Sequence, residues 1–233
     1  IGWFIGGAAA TLLGGFWLSR GLDASGKASW GRFSDLARFG MGFAFAQIAW
    51  IALFSVNQIW VLAVCGGVQA GIYAVAAMGA QMMLYLPRVL MPSYSRTLSG
   101  LPFQEARRLT RQAVRATFLL LAVLSGLLLA VSPWALRRFL PAYLGVLPVL
   151  LWLAPGIVGV GPLTYLAYHL RVESRLVRLN LAFFVGLLID LALAWVWVPA
   201  RGAVGAAQAF SVAVLSMLVL LMEPFLRGNH EPA

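Results

Sequence analysis

Apolar runs of about 20 residues recur along this chain, separated by short connectors that hold most of its charge, and no other feature restricts the fold as much. Inside hydrocarbon every backbone N–H and C=O must be satisfied within the protein, so a run of that length crosses a bilayer as a helix or as part of a closed barrel. The runs are rich in Leu, Ala and Gly throughout and lack the ten-residue alternation of barrel strands, which selects helices. They predict spans near 1–19, 40–64, 70–91, 114–133, 145–168, 180–198 and 203–222. The expected fold is all-α, a polytopic transmembrane helix bundle. A chain with 62% hydrophobic residues, 10% charged residues and a mean hydropathy of +0.89 has too little polar surface for a water-soluble domain.

The 17 basic residues set the orientation. With the 20–39 connector on the cytoplasmic side, that side collects Arg20, Lys27, Arg32, Arg38, Arg88, Arg96, Arg107, Arg108, Arg111, Arg115, Arg171, Arg175, Arg178 and Arg227. The opposite side receives only Arg137, Arg138 and Arg201. By the positive-inside rule the fourteen face the cytoplasm, which predicts a multi-pass protein of the inner (cytoplasmic) membrane with a cytoplasmic tail at 223–233. The net charge of +10 lies in connectors and not on one face of a domain, so membrane lipids rather than nucleic acid are the expected partner. Trp3, Trp17, Trp60, Trp134, Trp195 and Trp197 fall near predicted helix ends, where an indole straddles the interface. Arg107, Arg111 and Arg115 recur every four residues and align on one helix face, as a headgroup-anchored lead-in to the next span or a lipid-charge sensor.

One cysteine, Cys65, and two histidines, His169 and His230, exclude a disulfide framework and leave no ligand set for a metal. No metal or cofactor is expected. The longest connectors, near 20–39 and 92–113, are too short for a catalytic domain, so function is expected inside the bundle and the protein is not read as an enzyme. The chain opens at Ile1, already in an apolar stretch and without an initiator Met, which leads to the expectation that an N-terminal region precedes it.

Three stretches carry a family resemblance. Phe39-Gly40 leading to Gln47, then Asn57-Gln58, then Ala70-Gly71-Ile72-Tyr73-Ala74-Val75-Ala76 form the first, which closes on Leu86-Pro87 and Met91-Pro92-Ser93. Phe139-Leu140-Pro141-Ala142-Tyr143 before Val146-Leu147-Pro148-Val149-Leu150 is the second, and Val198-Pro199-Ala200-Arg201-Gly202-Ala203-Val204-Gly205-Ala206-Ala207 the third. In this order and spacing the chain resembles the multidrug/oligosaccharidyl-lipid/polysaccharide exporter superfamily, in its polysaccharide-biosynthesis flippase branch. The resemblance implies that 1–19 is the last helix of a first lobe, 20–39 a cytoplasmic interlobe linker, and 40–222 a six-helix second lobe whose partner is a missing N-terminal lobe. It also implies a substrate, a polyprenyl-diphosphate-linked oligosaccharide moved outward by alternating access, coupled to H+ or Na+. Many relatives carry an acid near the position of Asn57-Gln58, so the coupling role of that acid does not transfer to this chain.

Polar residues within spans are the candidate site. Asp190 is the one acid deep inside a predicted span, in Leu187-Leu188-Ile189-Asp190-Leu191, and is read either as a packed, hydrogen-bonded group or as the coupling-ion site. Gln47, Asn57, Gln58 and Gln81 offer paired donors and acceptors to sugar hydroxyls, or equally interhelical hydrogen bonds. Arg88 is placed to meet a pyrophosphate or to snorkel to headgroups, and Tyr73 to pack or to stack on a sugar. Pro155-Gly156, Gly159 and Gly161-Pro162 predict a bend in the fifth span, and Gly42-x-x-x-Ala46 and Gly202-x-x-x-Ala206 permit close helix contact. The alternatives are a peptidoglycan-precursor flippase or a cation-coupled multidrug exporter of the same superfamily, a membrane glycosyltransferase or ligase, and a noncatalytic scaffold.

Overall fold

A computed structural model describes the backbone of residues 30–173 and 175–226, and side chains from Phe45 onward except Ala46, Ser174 and 224–226. The chain divides into two units, Ile1–Met41 and Gly42–Ala233. In the first, only the helical backbone from Trp30 is described, so the predicted span 1–19, Trp3, Trp17 and residues 20–29 of the 20–39 linker lie outside the described residues, while residues 30–39 are helical and not an open linker.

The described chain is all-helical: α1 Trp30–Met83, α2 Tyr85–Ser99, α3 Phe103–Phe139, a 3-10 turn Pro141–Tyr143, α4 Val146–Val172, α5 Leu176–Arg201 and α6 Ala203–Leu226. Five stretches among the described residues, Gln47–Ser99, Phe103–Phe139, Val146–Val172, Leu176–Arg201 and Ala203–Glu223, are long and apolar enough to cross a membrane. The first is not straight. Gly66, at φ 79° and ψ 177°, adopts a backbone conformation that a side chain disfavours, and it breaks α1 into two arms. The arms fold back on each other: Gln47 and Leu84 line one cavity, although 37 residues of straight helix would part them by about 55 Å. At the Gly66 end, Cys65 Sγ donates to the Val198 carbonyl and Gln69 Oε1 accepts from Ala203 N–H, so both arms reach the same end of α5.

The connector expected at 92–113 is mostly helix as well, because arginine is a good helix former and hydropathy marks the edge of the membrane rather than the end of a helix. Arg107, Arg111 and Arg115 therefore sit within α3 itself. Between α5 and α6 the chain turns on Gly202, at φ 59°, and Gly205 then lies so close to α5 that an added Cβ would run into the Trp197 carbonyl group.

α4 and α6 fill the centre of the bundle. Gly156, Gly159 and Gly161 bring α4 against α6 and α3, and Ala206, Ala207, Ala209 and Ala213 are fully enclosed on α6. The expected irregularity at Pro155 takes a specific form. The Gly156 N–H and Trp152 C=O, partners in a regular helix, are bridged by the Ser211 hydroxyl, which accepts from the first at 3.0 Å and donates to the second. A hydroxyl from α6 thus hydrogen-bonds both backbone groups of this turn of α4.

Hydrogen bonds and ion pairs assign the two ends. Tyr94, Thr110, His169 and Glu173 meet at one end, with Arg178 and Glu223 paired at 2.9 Å where α5 begins and α6 finishes. Arg88, Arg96, Arg107, Arg108, Arg111, Arg115, Arg171 and Arg175 lie in the segments that converge there. The opposite end carries Arg137, Arg138 and Arg201, with an aromatic belt in which Trp60 stacks on Trp195 at 4.8 Å, Trp134 meets Phe139 edge-on, and Arg201 lies over Trp197.

Candidate functional site

Asp190 is fully buried on α5, and the Asn57 amide of the first α1 arm donates Nδ2 to both of its carboxylate oxygens at 2.9 Å. One amide group is thin support for a carboxylate, which has about four acceptor positions. Asn57 Oδ1 is itself buried without a hydrogen-bond partner among the described residues, and Tyr73, from the other arm, lies within electrostatic range of Asp190. Of the two readings the sequence left open for each, Asn57 takes the interhelical hydrogen bond and Tyr73 the packing position, not the sugar contact. Asn57 faces Asp190 inside the bundle, and the Tyr73 ring is enclosed in the core at 2% exposure, with no face to offer a sugar.

Gln47 and Gln58 take the other face of the same arm. Helical spacing puts Gln47, Ile51, Ser55, Gln58 and Leu62 in one stripe, and all five are exposed, whereas Leu53, Asn57 and Val61 turn inward. Gln81, beside Met78 and Met82, is exposed on the second arm. An amide at membrane depth is costly against lipid, so these exposed glutamines mark a face suited to a polar cavity or another protein surface.

A cavity of about 410 Å3 opens where the first α1 arm, α2, α4 and α5 meet toward the basic end. Gln47 and Arg88, two residues singled out by sequence, line it together. Sequence reasoning missed its other polar walls, Thr164, Tyr168 and Arg171, which follow one another at helical spacing on α4. That spacing was a readable signal, but its pairing with Arg88 was not, since the two arginines lie on different helices far apart in sequence. Trp50, Leu84, Pro87, Met91, Leu163 and Phe183 give the same cavity an apolar side. Two guanidinium groups beside an apolar wall suit an amphipathic anion, with phosphate oxygens on the arginines and a hydrocarbon chain against the wall.

Next to this cavity lies a second polar cluster that the sequence reading set aside. The Tyr94 hydroxyl is 2.7 Å from Thr110 Oγ1, which is 2.8 Å from His169 Nδ1, and His169 Nε2 is 2.8 Å from Glu173 Oε1. Arg175 Nε reaches Glu173 Oε2 at 3.3 Å. Burial pushes the Glu173 carboxyl up, but the hydrogen bond and charge of His169, with Arg175 and Arg107, outweigh it and hold the group below its ordinary range. The signal available in sequence was the i, i+4 spacing of His169 and Glu173.

Helices of this length and apolarity, folded around two buried polar clusters and a basic cavity, define the class of a multi-pass helical membrane protein. No family model, curated protein or solved structure matches the chain.

Proposed function

We propose that the chain is one lobe of a transporter that flips a polyprenyl-diphosphate-linked oligosaccharide across the cytoplasmic membrane for polysaccharide biosynthesis. The observation that carries this reading is the cavity holding Arg88 and Arg171 opposite an apolar wall, on the side that collects the basic residues. A diphosphate bridging lipid and sugar needs charge-assisted donors, its polyprenyl chain needs hydrocarbon, and its sugars need amides such as Gln47, Gln58 and Gln81. In this reading the basic end is cytoplasmic, as is the C-terminus. The two arms of α1 count as separate spans of a six-span second lobe, with residues 1–19 as a seventh span belonging to the first. The resemblance in the three sequence stretches supplies the superfamily and the substrate. No covalent bond changes, so no nucleophile or base is required.

Asp190 favours coupling to an ion. One amide partner among the described residues leaves acceptor capacity that a proton or Na+ fills, and release of that ion would loosen the contact between α5 and the first α1 arm. A buried acid of this kind equally serves a cation-coupled drug exporter, the second reading. The two separate by complementation: the intact protein should restore polysaccharide export to a flippase-deficient strain, and Arg88→Ala with Arg171→Ala should lower that rescue roughly 10- to 100-fold per lost contact. Rescue of drug efflux without polysaccharide export would reverse the choice.

A further inference from the structure

We propose that the exposed arginines of the α2–α3 hairpin, Arg96, Arg108, Arg111 and Arg115, form a binding surface for the headgroups of anionic phospholipids. The inference goes beyond the lipid-linked reading and does not depend on it, since none of the four lines the cavity of Arg88 and Arg171.

Between residues 96 and 115 the chain carries five arginines and one acid, Glu105. The sequence spacing aligns Arg107 with Arg111 and Arg115, but the fold regroups them. Arg107 is half-buried and lies in the field of Glu173, whereas Arg108 is exposed. On α3 the line Ala106, Thr110, Thr117 and Leu121 packs inward. Arg108, Arg111 and Arg115 stand on the outer side of the helix, and all three are exposed. The Tyr94 hydroxyl meets Thr110 Oγ1 at 2.7 Å, and Leu98 and Ala106 join Tyr94 in one buried cluster. An antiparallel helix pair in that register sets the exposed Arg96 of α2 at the level of Arg108. None of these four arginines forms an ion pair among the described residues, so their charge is open to a partner.

The face beneath the arginines identifies that partner. The outer side of α3 continues through Phe118, Leu119, Val123, Leu127 and Val131, all exposed and all apolar. Residues 116–136 carry no charge, and the next are Arg137 and Arg138. A helix of that length rises about 31 Å, which matches a hydrocarbon core of about 30 Å. Arg115 therefore marks the edge of the hydrocarbon, and Arg108, about 10 Å further along the axis, extends through the headgroup layer. A soluble acidic protein would meet the arginines without the apolar face below them. A phospholipid meets both, with phosphate oxygens on the guanidinium forks and acyl chains against Phe118 and Leu119. Four cations without counter-charges favour a lipid of net negative charge over a zwitterionic one. The bonds from Tyr94 to Thr110 and from Thr110 to His169 on α4 hold the hairpin at this depth.

The test uses the intact protein in phosphatidylcholine vesicles. In a Cys65→Ala background, a fluorophore on exposed Ala116→Cys reports the lipid just below the arginines. Its quenching by spin-labelled phosphatidylglycerol is compared with that by spin-labelled phosphatidylcholine. A basic residue near the surface is worth roughly fivefold in attraction to anionic lipid, so we expect phosphatidylglycerol to be enriched at least roughly fivefold at low salt. The preference should fall toward parity at about 1 M salt. Changing the four arginines to Gln should abolish it, and changing them to Lys, which keeps the charge, should retain most of it. Arg88→Ala with Arg171→Ala should leave it intact. Loss of the preference in that cavity variant, or an undiminished preference in the Gln variant, would overturn the proposal. Equal quenching by the two lipids in the wild type would overturn it as well and leave the arginines to an acidic protein.

Discussion

The inner helices and the outer helices of this bundle are built on different rules. In α4 and α6, 61% and 67% of the most apolar window is buried, against 22% in Gln47–Ser99 and 22% in α3. The inner pair is made of glycine and alanine at close approach, with Ser211 of α6 hydrogen-bonded to the α4 backbone. The outer arms carry Gln47, Gln58 and Gln81 on exposed faces and Arg88 in the cavity. Without a hydrophobic force between helices in lipid, close packing of small residues holds the centre. The outer surface is free to carry groups that lipid would reject, and the cavity forms where the two kinds of helix meet.

Gly205→Ala is the severest test of that contrast. Its Cβ would meet backbone atoms of Trp197, which cannot rotate away, so we expect a loss of about 3 kcal/mol, read as a lower melting temperature in detergent. A variant that melts with the wild type would mean that the centre is not tightly packed. Asn57→Leu comes next, because it leaves the Asp190 carboxyl without its donor and should cost about 2 kcal/mol. Adding Asp190→Leu should recover most of this, and a double variant no better than the single one would show that the pair is not the source of the cost.

The smaller effects fall at the rim. The folded Glu173 carboxyl titrates below its unfolded value of about 4.5, so its contribution to stability is complete above that pH and disappears as pH falls through the lower, folded value. Melting curves from about pH 6 down to about pH 3 should show this acid loss in wild type and a weaker one in Glu173→Gln. Gln58→Ala and Gln81→Ala should change stability by no more than about 0.5 kcal/mol while lowering transport. A large stability loss at either glutamine would turn the outer face into ordinary packing.

The helical membrane class was legible because apolar length and a missing strand alternation are properties of local sequence. So was the α1 break, since the predicted spans 40–64 and 70–91 leave a gap that contains Gly66 and Gly67. The helicity of 92–113 was not, because basic residues end a hydropathy window without ending a helix. Asn57 and Gln58 show the limit of reading a site from composition. Adjacent and chemically alike, they point about 100° apart, one to Asp190 and the other outward. Only the partner 133 residues away tells them apart. Arg171 and the His169 cluster were hidden for the same reason, since their meaning comes from Arg88, Tyr94 and Thr110 on other helices.

Native mass spectrometry of the purified intact protein with a polyprenyl diphosphate and the matching neutral polyprenol tests the central claim most directly. We expect the diphosphate to be retained at least roughly tenfold better than the alcohol, and the preference to disappear in Arg88→Ala with Arg171→Ala. Equal retention of the two lipids by the wild type, or an undiminished preference in the double variant, would contradict a cavity built for a lipid-linked diphosphate.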